Sequence, residues 1–395
     1  MCVMSLGNGS LSPQKVIHIV ENLDRGAVEN WLVRMLRHSR KIGISLDWTF
    51  YCALGKPGAL DDEVRAMGGN IVYSPFPIGH KKAFVRELSS ELQRGNYDVL
   101  HCHHDLVSGL YLAAAIGVPL KKRLVHVHNA DESVLTPHPL KQAVLRPLLR
   151  QTCLRLADKT VGISNHTLDT FLGGRQRRPD RDLVHYYGID PAPFLAARAD
   201  PRGFRQEIGV PEDALILLFA GRIVPEKNPI FALKVFAAMR QRDPRAVAVF
   251  VGSGSMEKPL ADRAAELGAM DAIRLLGWRS DVAAIMSSCD WFILPRPEQP
   301  MEGLGIAVIE AQLAGLRLLL SRGIADDPLL PGSVWARLAL ADGPERWAEE
   351  ALRLLPQTPP TPQMAAAQLA KSPFDMDFAL TDLLNLYSED GALVR

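Results

Sequence analysis

The sequence is poor in the features that mark disulfide-rich, zinc-binding and membrane-spanning proteins. Its five cysteines are scattered, odd in number and include no C-x-x-C pair, which argues against a disulfide framework or a zinc site. No apolar run reaches the roughly 18 residues of a spanning helix, and Met1 to Pro13 do not read as a signal peptide. These absences predict a cytoplasmic protein, at most peripherally attached to a membrane.

An excess of charge of either sign is also lacking. Lys and Arg number 45 against 44 Asp and Glu, a formal net charge of +1, so nothing global indicates a nucleic-acid partner. Any anion site must therefore be local. A chain of 395 residues with 47% hydrophobic content is too long for one ordinary core and predicts two globular domains.

Short apolar runs alternate with longer helical patterns, which is typical of mostly parallel α/β sheets. The first group of predicted strands is Lys15–Val20, Leu46–Ala53, Asn70–Ser74, Asp98–Cys102, Arg123–Val127 and Lys159–Ile163. The alternation of strands and helices begins again after the polar stretch Ala196–Gly203. The predicted strands of this second group are Leu215–Ala220, Ala246–Val251, Ala272–Leu276, Asp290–Leu294 and Leu316–Leu320. The proline-rich run 355–362 predicts a loop, and Asp375–Ser388 predicts a last helix.

The segment 295–315, PRPEQPMEGLGIAVIEAQLAG, is the most informative for function. A helix that begins near Gly303 would present unpaired amides at the positive end of its dipole, which suits a diphosphate. These amides belong to Gly303, Leu304, Gly305 and Ile306. Glu302 would accept hydrogen bonds from sugar hydroxyls, and Glu310 from the two hydroxyls of a ribose. The alternative is an ordinary helix with one acid in its first turn and one solvated glutamate.

A second cluster follows the first strand of the later domain, where open α/β sheets bind ligands. Gly221 allows a tight turn there, and Arg222 and Lys227 could together neutralise a diphosphate leaving group. A unit charge pair about 4 Å apart is worth roughly 4 kcal/mol at an effective dielectric constant near 20. The alternative is a surface arginine and lysine in a polar loop.

The order and spacing of these two clusters resemble the family-4 retaining glycosyltransferases of the GT-B fold, over nearly the whole chain. The family's G-R-x-x-x-x-K-N element stands here as Gly221-Arg222 with Lys227-Asn228. Its E-G-x-G-x-x-x-x-E-A element stands here as Glu302-Gly303-Leu304-Gly305 with Glu310-Ala311. Further matching pieces are Val251-Gly252-Ser253-Gly254, Leu276-Gly277, Asp281-Val282, Ala314-Gly315, Val161-Gly162-Ile163-Ser164 and Tyr187-Gly188-Ile189-Asp190.

The N-terminal half adds Asp24–Arg37, which is similar to the D/N-R-G-G-A-E-T-W-L-M element of the exopolysaccharide branch of that family. The resemblance implies that the loop at Gly26 lies against the donor phosphates and the acceptor. Ala27 replaces the second glycine, where a left-handed backbone would be disfavoured. Tyr187 likewise stands where the family has asparagine, and the family's histidine near the donor sugar corresponds to His128.

Histidines cluster at His101, His103 and His104 and again at His126 and His128. An H-x-H on a strand presents both rings to one face without supplying a third ligand. Members of the resembled family use no metal. We therefore predict neither a metal site nor a cofactor, although a structural role for these histidines remains an alternative to sugar binding by His128.

The resemblance implies two Rossmann-like domains that face each other across a cleft. We expect an acceptor domain at 1–196, a nucleotide-sugar domain at 204–371, and a C-terminal helix at 372–395 that packs back on the first domain. Transfer would retain anomeric configuration, with Arg222, Lys227, Glu302 and His128 at the reacting centre. The first candidate for the nucleotide of the donor is uridine diphosphate, and the second is guanosine diphosphate.

The implied acceptor is a glycan or polyprenyl-linked glycan of bacterial exopolysaccharide or cell-surface polysaccharide synthesis. The basic amphipathic stretch Leu140–Lys159 would touch anionic headgroups, with Val144, Leu145, Leu148 and Leu149 along one face and Arg146 and Arg150 opposite. Pro147 would start or kink this helix. A soluble acceptor, or a non-catalytic sugar-nucleotide-binding partner in an assembly complex, is the alternative. A dinucleotide oxidoreductase is disfavoured because no G-x-G-x-x-G follows the first strand.

Overall fold

The computed structural model describes residues 14–24, 26–129, 138–197 and 201–388, without the side chains of residues 201 and 202. The chain divides into two compact units, one formed by Met1–Gly188 with Met376–Arg395 and the other by Ile189–Asp375. Each unit is a parallel sheet with helices in its connections. Among the described residues, no helix combines the length and apolar character needed to cross a membrane.

Unit 1 contains, within its described residues, a seven-stranded sheet in the order β3-β2-β1-β4-β5-β6-β7. Numbered in chain order, its strands are β1 (Lys15–Val20), β2 (Asp47–Cys52), β3 (Asn70–Tyr73), β4 (Val99–Cys102), β5 (Lys122–Val127), β6 (Lys159–Gly162) and β7 (Asp182–Val184). Its helices are α1 (Ala27–Lys41), α2 (Asp61–Ala66), α3 (Lys81–Gly95), α4 (Ser108–Ala114), α5 (Pro139–Leu156), α6 (Asn165–Leu172) and the last helix, α15 (Met376–Tyr387).

Unit 2 contains, in the part of the chain that is described, a six-stranded sheet in the order β10-β9-β8-β11-β12-β13. Its strands are β8 (Leu215–Ala220), β9 (Ala246–Val251), β10 (Ile273–Leu275), β11 (Trp291–Leu294), β12 (Arg317–Ser321) and β13 (Trp335–Leu338). Its helices are α7 (Ala192–Ala196), α8 (Pro201–Glu207), α9 (Pro229–Arg242), α10 (Glu257–Glu266), α11 (Val282–Met286), α12 (Ile306–Leu313), α13 (Gly343–Leu354) and α14 (Pro362–Leu369).

In unit 2 the strands β8, β9 and β11 are apolar along their whole length because helices cover both faces of a parallel sheet. β8 and β9 are buried at every residue and pair in parallel from Leu215↔Ala246 to Ala220↔Val251. Every strand predicted from the sequence is present, but β7 and β13 were not predicted. These two strands are short, lie at the sheet margins and include polar residues, so their sequences alone do not indicate strands. Pairing with β6 and β12 stabilises them.

The C-terminal helix belongs to unit 1, as the sequence predicted. The hydroxyl of Tyr387 lies 2.8 Å from Nδ1 of His101, and Asp382 Oδ2 lies 2.7 Å from Nδ1 of His185. These contacts connect α15 to β4 and to the residue after β7. The short helix α7, which was expected in the first domain, instead packs against α11 and α14 and belongs to unit 2.

Helix α6 shows how one of the motifs acts in the fold. The hydroxyl of Ser164 accepts a hydrogen bond from the amide of Thr167 at 3.1 Å, and the two residues form a capping box. A Cβ at Gly162 would lie 2.7 to 2.9 Å from atoms of Leu168, so glycine lets the helix approach β6. The V-G-I-S element therefore has a structural role, which is to start α6 and seat it on the sheet.

Candidate active site

The site in unit 2 lies where its strand order reverses. β8 pairs with β9 on one side and β11 on the other, so the connections that leave β8 and β11 diverge at their carboxyl ends. Open α/β sheets bind ligands at such a point. The loop after β8 carries Arg222 and Lys227, and the loop after β11 carries Glu302. Sequence reasoning placed these residues in two clusters, and the fold brings the clusters together.

Glu302 contacts cations from both of these loops. Its Oε2 lies 2.5 Å from Nζ of Lys227 and 3.1 Å from Nη1 of Arg296. All three side chains are largely buried, and Arg222 is close enough to influence the pKa of both Lys227 and Glu302. Three cations around one carboxylate leave a local excess of positive charge, which suits a polyanionic ligand.

Burial and charge act in opposite directions on this pair. Burial lowers the pKa of Lys227, and the neighbouring Glu302 offsets only part of that change. Burial alone would raise the pKa of Glu302, but the charges of Lys227 and Arg296 outweigh it and hold the pKa below its ordinary value. Glu302 is therefore ionised at neutral pH and positions both cations.

Helix α12 begins at Ile306 rather than near Gly303, so the predicted start was wrong. The amide of Glu302 donates to the carbonyl of Gly323 at 2.8 Å, which keeps this part of the loop extended toward the residues after β12. Gly305 precedes the helix with φ +79°, a left-handed conformation that glycine adopts readily, and no side chain caps the helix there. The N-terminus of α12 is thus open to an anion.

A buried glutamine fixes the far side of α12. Nε2 of Gln312 donates to the carbonyls of Val308 and Pro328, and its Oε1 accepts from the amide of Leu330 and the hydroxyl of Ser333. The amide side chain thereby fills its donor and acceptor positions. Glu310 lies half-buried on the same helix, within two turns of its N-terminus. The helix that carries Glu310 is therefore held rigidly against the loop before β13.

The loops after β8 and β9 touch through their backbones. A Cβ at Gly252 would lie 1.9 Å from the carbonyl oxygen of Gly221, and a Cβ at Gly254 would lie 2.4 Å from that of Ile223. Gly252 also has φ +129°, and its amide donates to Gly277 at 2.7 Å. The V-G-S-G element therefore supports the turn that carries Arg222.

Gly26 and Ala27 form the start of α1 in unit 1. Gly26 has φ −72° and ψ 165°, and Ala27 is the first helical residue, so no left-handed backbone is needed at Ala27. The predicted difficulty with the missing glycine therefore does not arise. A Cβ at Gly26 would lie 2.1 Å from Oε2 of Glu29, whose carboxyl folds back over this position. Burial raises the pKa of Glu29 to about 7.

His128 lies inside unit 1, in contact with other aromatic side chains. Its Nε2 is 3.0 Å from Nδ1 of His103, and its Nδ1 is 2.5 Å from the hydroxyl of Tyr187. The ring of Tyr187 stacks on Trp31 with centroids 4.8 Å apart, which accounts for a tyrosine where the resembled family has asparagine. Both ring nitrogens of His128 have protein partners, and its contact with a donor sugar stays a prediction.

Each H-x-H pair supplies two imidazoles and no third, but the fold brings a third imidazole close to each pair. Neighbouring strands supply it, because His18 on β1 is in register with His101 on β4, on the same face of the sheet. Ring nitrogens of His18, His101 and His103 lie within 4.8 Å of one another, and so do those of His103, His126 and His128. Spacing along a single strand could not reveal this grouping.

Three residues of the two candidate regions were missed. Arg296 could have been found as a cation in the loop directly after a predicted strand, and Glu29 as an acid in the first turn of the first helix. Asp105 gave no such signal. It has φ +44°, and its carboxylate accepts hydrogen bonds from the amide of His128 at 2.7 Å and from Nδ2 of Asn129 at 3.0 Å. It therefore fixes the chain as it leaves β5.

Comparison with known families gives two matches along the chain. A profile described as Glycosyltransferase Family 4 matches residues 28–193, and one described as Glycosyl transferases group 1 matches residues 202–324. EpsF of Bacillus subtilis, whose name assigns it to the glycosyltransferases, is 27% identical over 387 residues, covering 95% of this chain and 97% of its own. A UDP-Gal:alpha-D-GlcNAc-diphosphoundecaprenol alpha-1,3-galactosyltransferase of Escherichia coli is 26% identical over 66% of this chain and 67% of its own.

Solved structures share the fold. HepE of Anabaena in complex with UDP and glucose superposes with a TM-score of 0.75 at 16% identity, covering 95% of this chain and all of that one. WaaG, a glycosyltransferase involved in lipopolysaccharide biosynthesis, gives a TM-score of 0.64 at 16% identity over 95% of this chain and 98% of its own. The chain belongs to the family-4 glycosyltransferases of the GT-B fold.

Proposed function

We propose that this chain transfers a sugar from a nucleoside-diphosphate donor, with retention of configuration, onto a growing glycan of a bacterial surface or exopolysaccharide. The observation that carries the proposal is the buried cluster of Lys227, Arg296 and Glu302 beside the open N-terminus of α12. Uridine diphosphate is the first candidate because HepE is solved with UDP and the Escherichia coli relative is named for UDP-Gal. Guanosine diphosphate is the second.

The residues at the reversal of the sheet suit the departure of a diphosphate. Arg222, Lys227 and the first amides of α12 would stabilise negative charge as the bond between the sugar carbon and the phosphate oxygen breaks. The incoming hydroxyl then forms its bond on the same face, and its proton passes to the departing phosphate oxygen. No enzymic nucleophile is required, and Glu302 orients the sugar while keeping Lys227 in place.

The two glutamates would meet opposite ends of the donor. Glu302 stands before the N-terminus of α12, where the phosphates and the sugar would lie, and Glu310 lies deeper along the same helix. A carboxylate at that depth can accept hydrogen bonds from both hydroxyl groups of a ribose. Gln312 fixes α12, and the hydrogen bond from the amide of Glu302 to the carbonyl of Gly323 holds the loop before it, so these contacts together set the distance between the two carboxylates.

Calorimetry with UDP and GDP tests the donor site directly. We expect Lys227→Ala and Glu310→Ala to weaken binding at least about tenfold, since each removes a charge-assisted contact worth about 1.5 to 3 kcal/mol. Lys258→Ala is the matched control, because Lys258 is an exposed lysine of unit 2 paired only with surface charge at Asp262. Wild-type affinity in both test variants would remove the assignment of the donor site.

We propose that the transfer step needs no divalent metal. The side chains of Arg222, Lys227 and Arg296, with the amides of α12, supply the positive charge that a metal would otherwise bring to the diphosphate. Turnover should therefore be the same with and without added Mg²⁺ or Mn²⁺, and a short exposure to chelator should leave it intact. Loss of turnover that only Mg²⁺ or Mn²⁺ restores would contradict this.

We further propose that α5 attaches the protein peripherally to an anionic bilayer that carries the acceptor. The helix runs unbroken through Pro147, and Leu145 and Leu149 pack against the core. The predicted single apolar face is therefore divided in two. The outward side of α5 presents Leu140, Val144 and Leu148. Each of these side chains is more than half exposed, and they are spaced about one helical turn apart. Exposed Lys141 and Arg155 add cations for phosphate headgroups.

A further inference from the structure

Six histidines of unit 1 form a buried layer on one face of its sheet. His18 lies on β1, His101 on β4 and His126 on β5, while three more directly follow β4, β5 and β7; they are His103, His128 and His185. The exposed fraction of each is 5% or less. Valine or isoleucine would fill such positions at no cost in polar desolvation. A layer of imidazoles therefore calls for a physical role beyond packing.

The rings contact one another through their nitrogens. Nδ1 of His18 lies 3.0 Å from Nε2 of His103, whose Nδ1 lies 3.0 Å from Nε2 of His128. Nε2 of His101 lies 3.2 Å from Nδ1 of His126. Three rings of the layer have a buried Nε2 with no hydrogen-bond partner within the described chain, those of His18, His126 and His185.

Two groups of three imidazoles offer converging nitrogens, but they are not equivalent. In the group of His18, His101 and His103, both nitrogens of His101 have partners, at His126 and Tyr387. The group of His103, His126 and His128 includes the unpartnered Nε2 of His126. The first group also has a nitrogen without a partner within the described chain, Nε2 of His18, but the nitrogen of His18 that approaches His103 is Nδ1. No acceptor on the other side of the ring would then fix His18 as a ligand, so the second group is the better candidate.

The outer contacts of this second group fit metal ligation. A metal-binding histidine generally donates its other ring N–H to a fixed acceptor, which sets the tautomer. His103 has Nδ1 of His18 as that acceptor, His128 has the hydroxyl oxygen of Tyr187, and His126 has Nε2 of His101. All three rings are neutral at pH 7, because burial lowers their pKa values well below the ordinary range. Each neutral ring can present a lone pair to a metal ion once its single N–H proton lies on the outer nitrogen.

We propose that His103, His126 and His128 form a buried site for a borderline-soft divalent cation such as Zn²⁺. Three imidazoles with no carboxylate in the group select for d-block ions and against Mg²⁺ or Ca²⁺, which require oxygen ligands. Three protein nitrogens leave one position of a tetrahedral ion for water. The site joins residues on and directly after β4 and β5 of unit 1, so its role is to hold these two strands together.

Metal binding by the full-length protein tests this inference. After removal of bound metal, Zn²⁺ or Co²⁺ is titrated in; we expect about one ion per chain, a visible absorption band with Co²⁺, and nitrogen ligands at about 2.0 Å by X-ray absorption. The melting temperature should rise with the ion, because binding to the native state stabilises it. His126→Gln should weaken binding at least about tenfold, while His80→Gln, at an exposed histidine of the same unit, should bind as the wild type.

The opposite results overturn the site. Binding far below one ion per chain with no rise in melting temperature, or equal affinity in His126→Gln and the wild type, would mean that the layer is a metal-free set of N–H···N hydrogen bonds. Should His126→Gln fail to fold, imidazole NMR of the wild type decides: ring nitrogen signals that move on addition of Zn²⁺ support the site, and unmoved signals exclude it. UDP binding, measured in parallel, reports separately on the proposed donor site.

Discussion

At the scale of single residues, one carboxylate controls the charge of the candidate active site. Glu302 contacts Lys227 and Arg296 through the same oxygen, and its negative charge raises the pKa of Lys227 against the effect of burial. Removing one partner of a buried ion pair is costly because the other charge stays buried without compensation. Substitutions here should therefore separate donor binding from donor turnover.

We expect Glu302→Gln to lower kcat by at least about tenfold while binding of UDP changes little or becomes tighter. The amide keeps the shape of the side chain but removes the charge that orients Lys227, and the diphosphate can replace that charge once it is bound. Steady-state kinetics and calorimetry with UDP measure the two effects. A large loss of UDP affinity with unchanged kcat would show that Glu302 acts on binding alone.

The contact between Gly252 and Gly221 gives a second prediction at this scale. Gly252→Ala places a Cβ where the Gly221 carbonyl lies and adds the strain of φ +129°, so we expect a loss of unfolding free energy of at least about 1 to 3 kcal/mol. UDP binding should weaken too, because the turn that carries Arg222 must move. Gly268→Ala is the control, since it has φ +61° with open space around its Cβ. Equal losses in both variants would mean that the contact has no effect of its own.

At the scale of elements, helices α5 and α12 use their ends and faces differently. α12 presents an uncapped N-terminus next to three cations, and Gln312 fixes its buried side. α5 buries Cys153 and Leu154 near its C-terminal end and leaves the outer side of its first half apolar and exposed. An exposed apolar stripe on a helix marks a surface that meets something other than water.

We expect the wild type to sediment with vesicles that contain anionic lipid at low salt and to be released by high salt, because each cation near the surface adds about 1 kcal/mol that salt screens. Val144→Gln with Leu148→Gln should weaken this attachment, as should Lys141→Glu with Arg155→Glu. Ile116→Gln is the matched control, since Ile116 is as exposed as Val144 but lies outside α5. A wild type that ignores anionic vesicles would favour a soluble acceptor.

At the scale of the whole molecule, the histidine layer should make the fold sensitive to acid. Burial lowers the pKa of His18 and His128 to about 3, while an unfolded histidine titrates near 6.5. The histidines of the unfolded chain therefore bind protons below about pH 6.5, whereas His18 and His128 of the folded chain bind them only near pH 3. In that window stability falls as the pH falls, and above it these histidines have no effect.

Each layer histidine whose pKa is lowered by burial should lower the free energy of unfolding by about 1 kcal/mol per pH unit below pH 6. These are His18, His101, His103, His126 and His128. Urea unfolding of the metal-free protein at pH 7, 6 and 5 measures this as a falling midpoint. His18→Phe should flatten the dependence by about one proton, since the ring lies between Trp48 and Phe50 and phenylalanine cannot be protonated. A midpoint that stays constant from pH 7 to pH 5 would show that the layer is protonated without cost.

Local patterns in the sequence were enough to predict most of the elements and the family. The apolar runs predicted the central strands because a strand buried on both faces is mostly apolar, and the spaced motifs predicted which loops hold Arg222, Lys227 and Glu302. Those motifs are local, so neighbours along the chain carry the information. β7 and β13 were not predicted because pairing with another strand stabilises them. The start of α12 at Ile306 follows a loop in which the amide of Glu302 donates to the carbonyl of Gly323, a residue distant in the chain.

Only the tertiary structure decided which distant side chains meet. Arg296 joins Glu302 because the loops after β8 and β11 converge where the strand order reverses. The histidine layer arises because β1, β4 and β5 lie side by side, in register, with their histidines on one face. Parallel pairing joins residues far apart in the chain, and no pattern within one strand records its neighbour's register. That is why the H-x-H pairs alone supplied no third imidazole and the fold did.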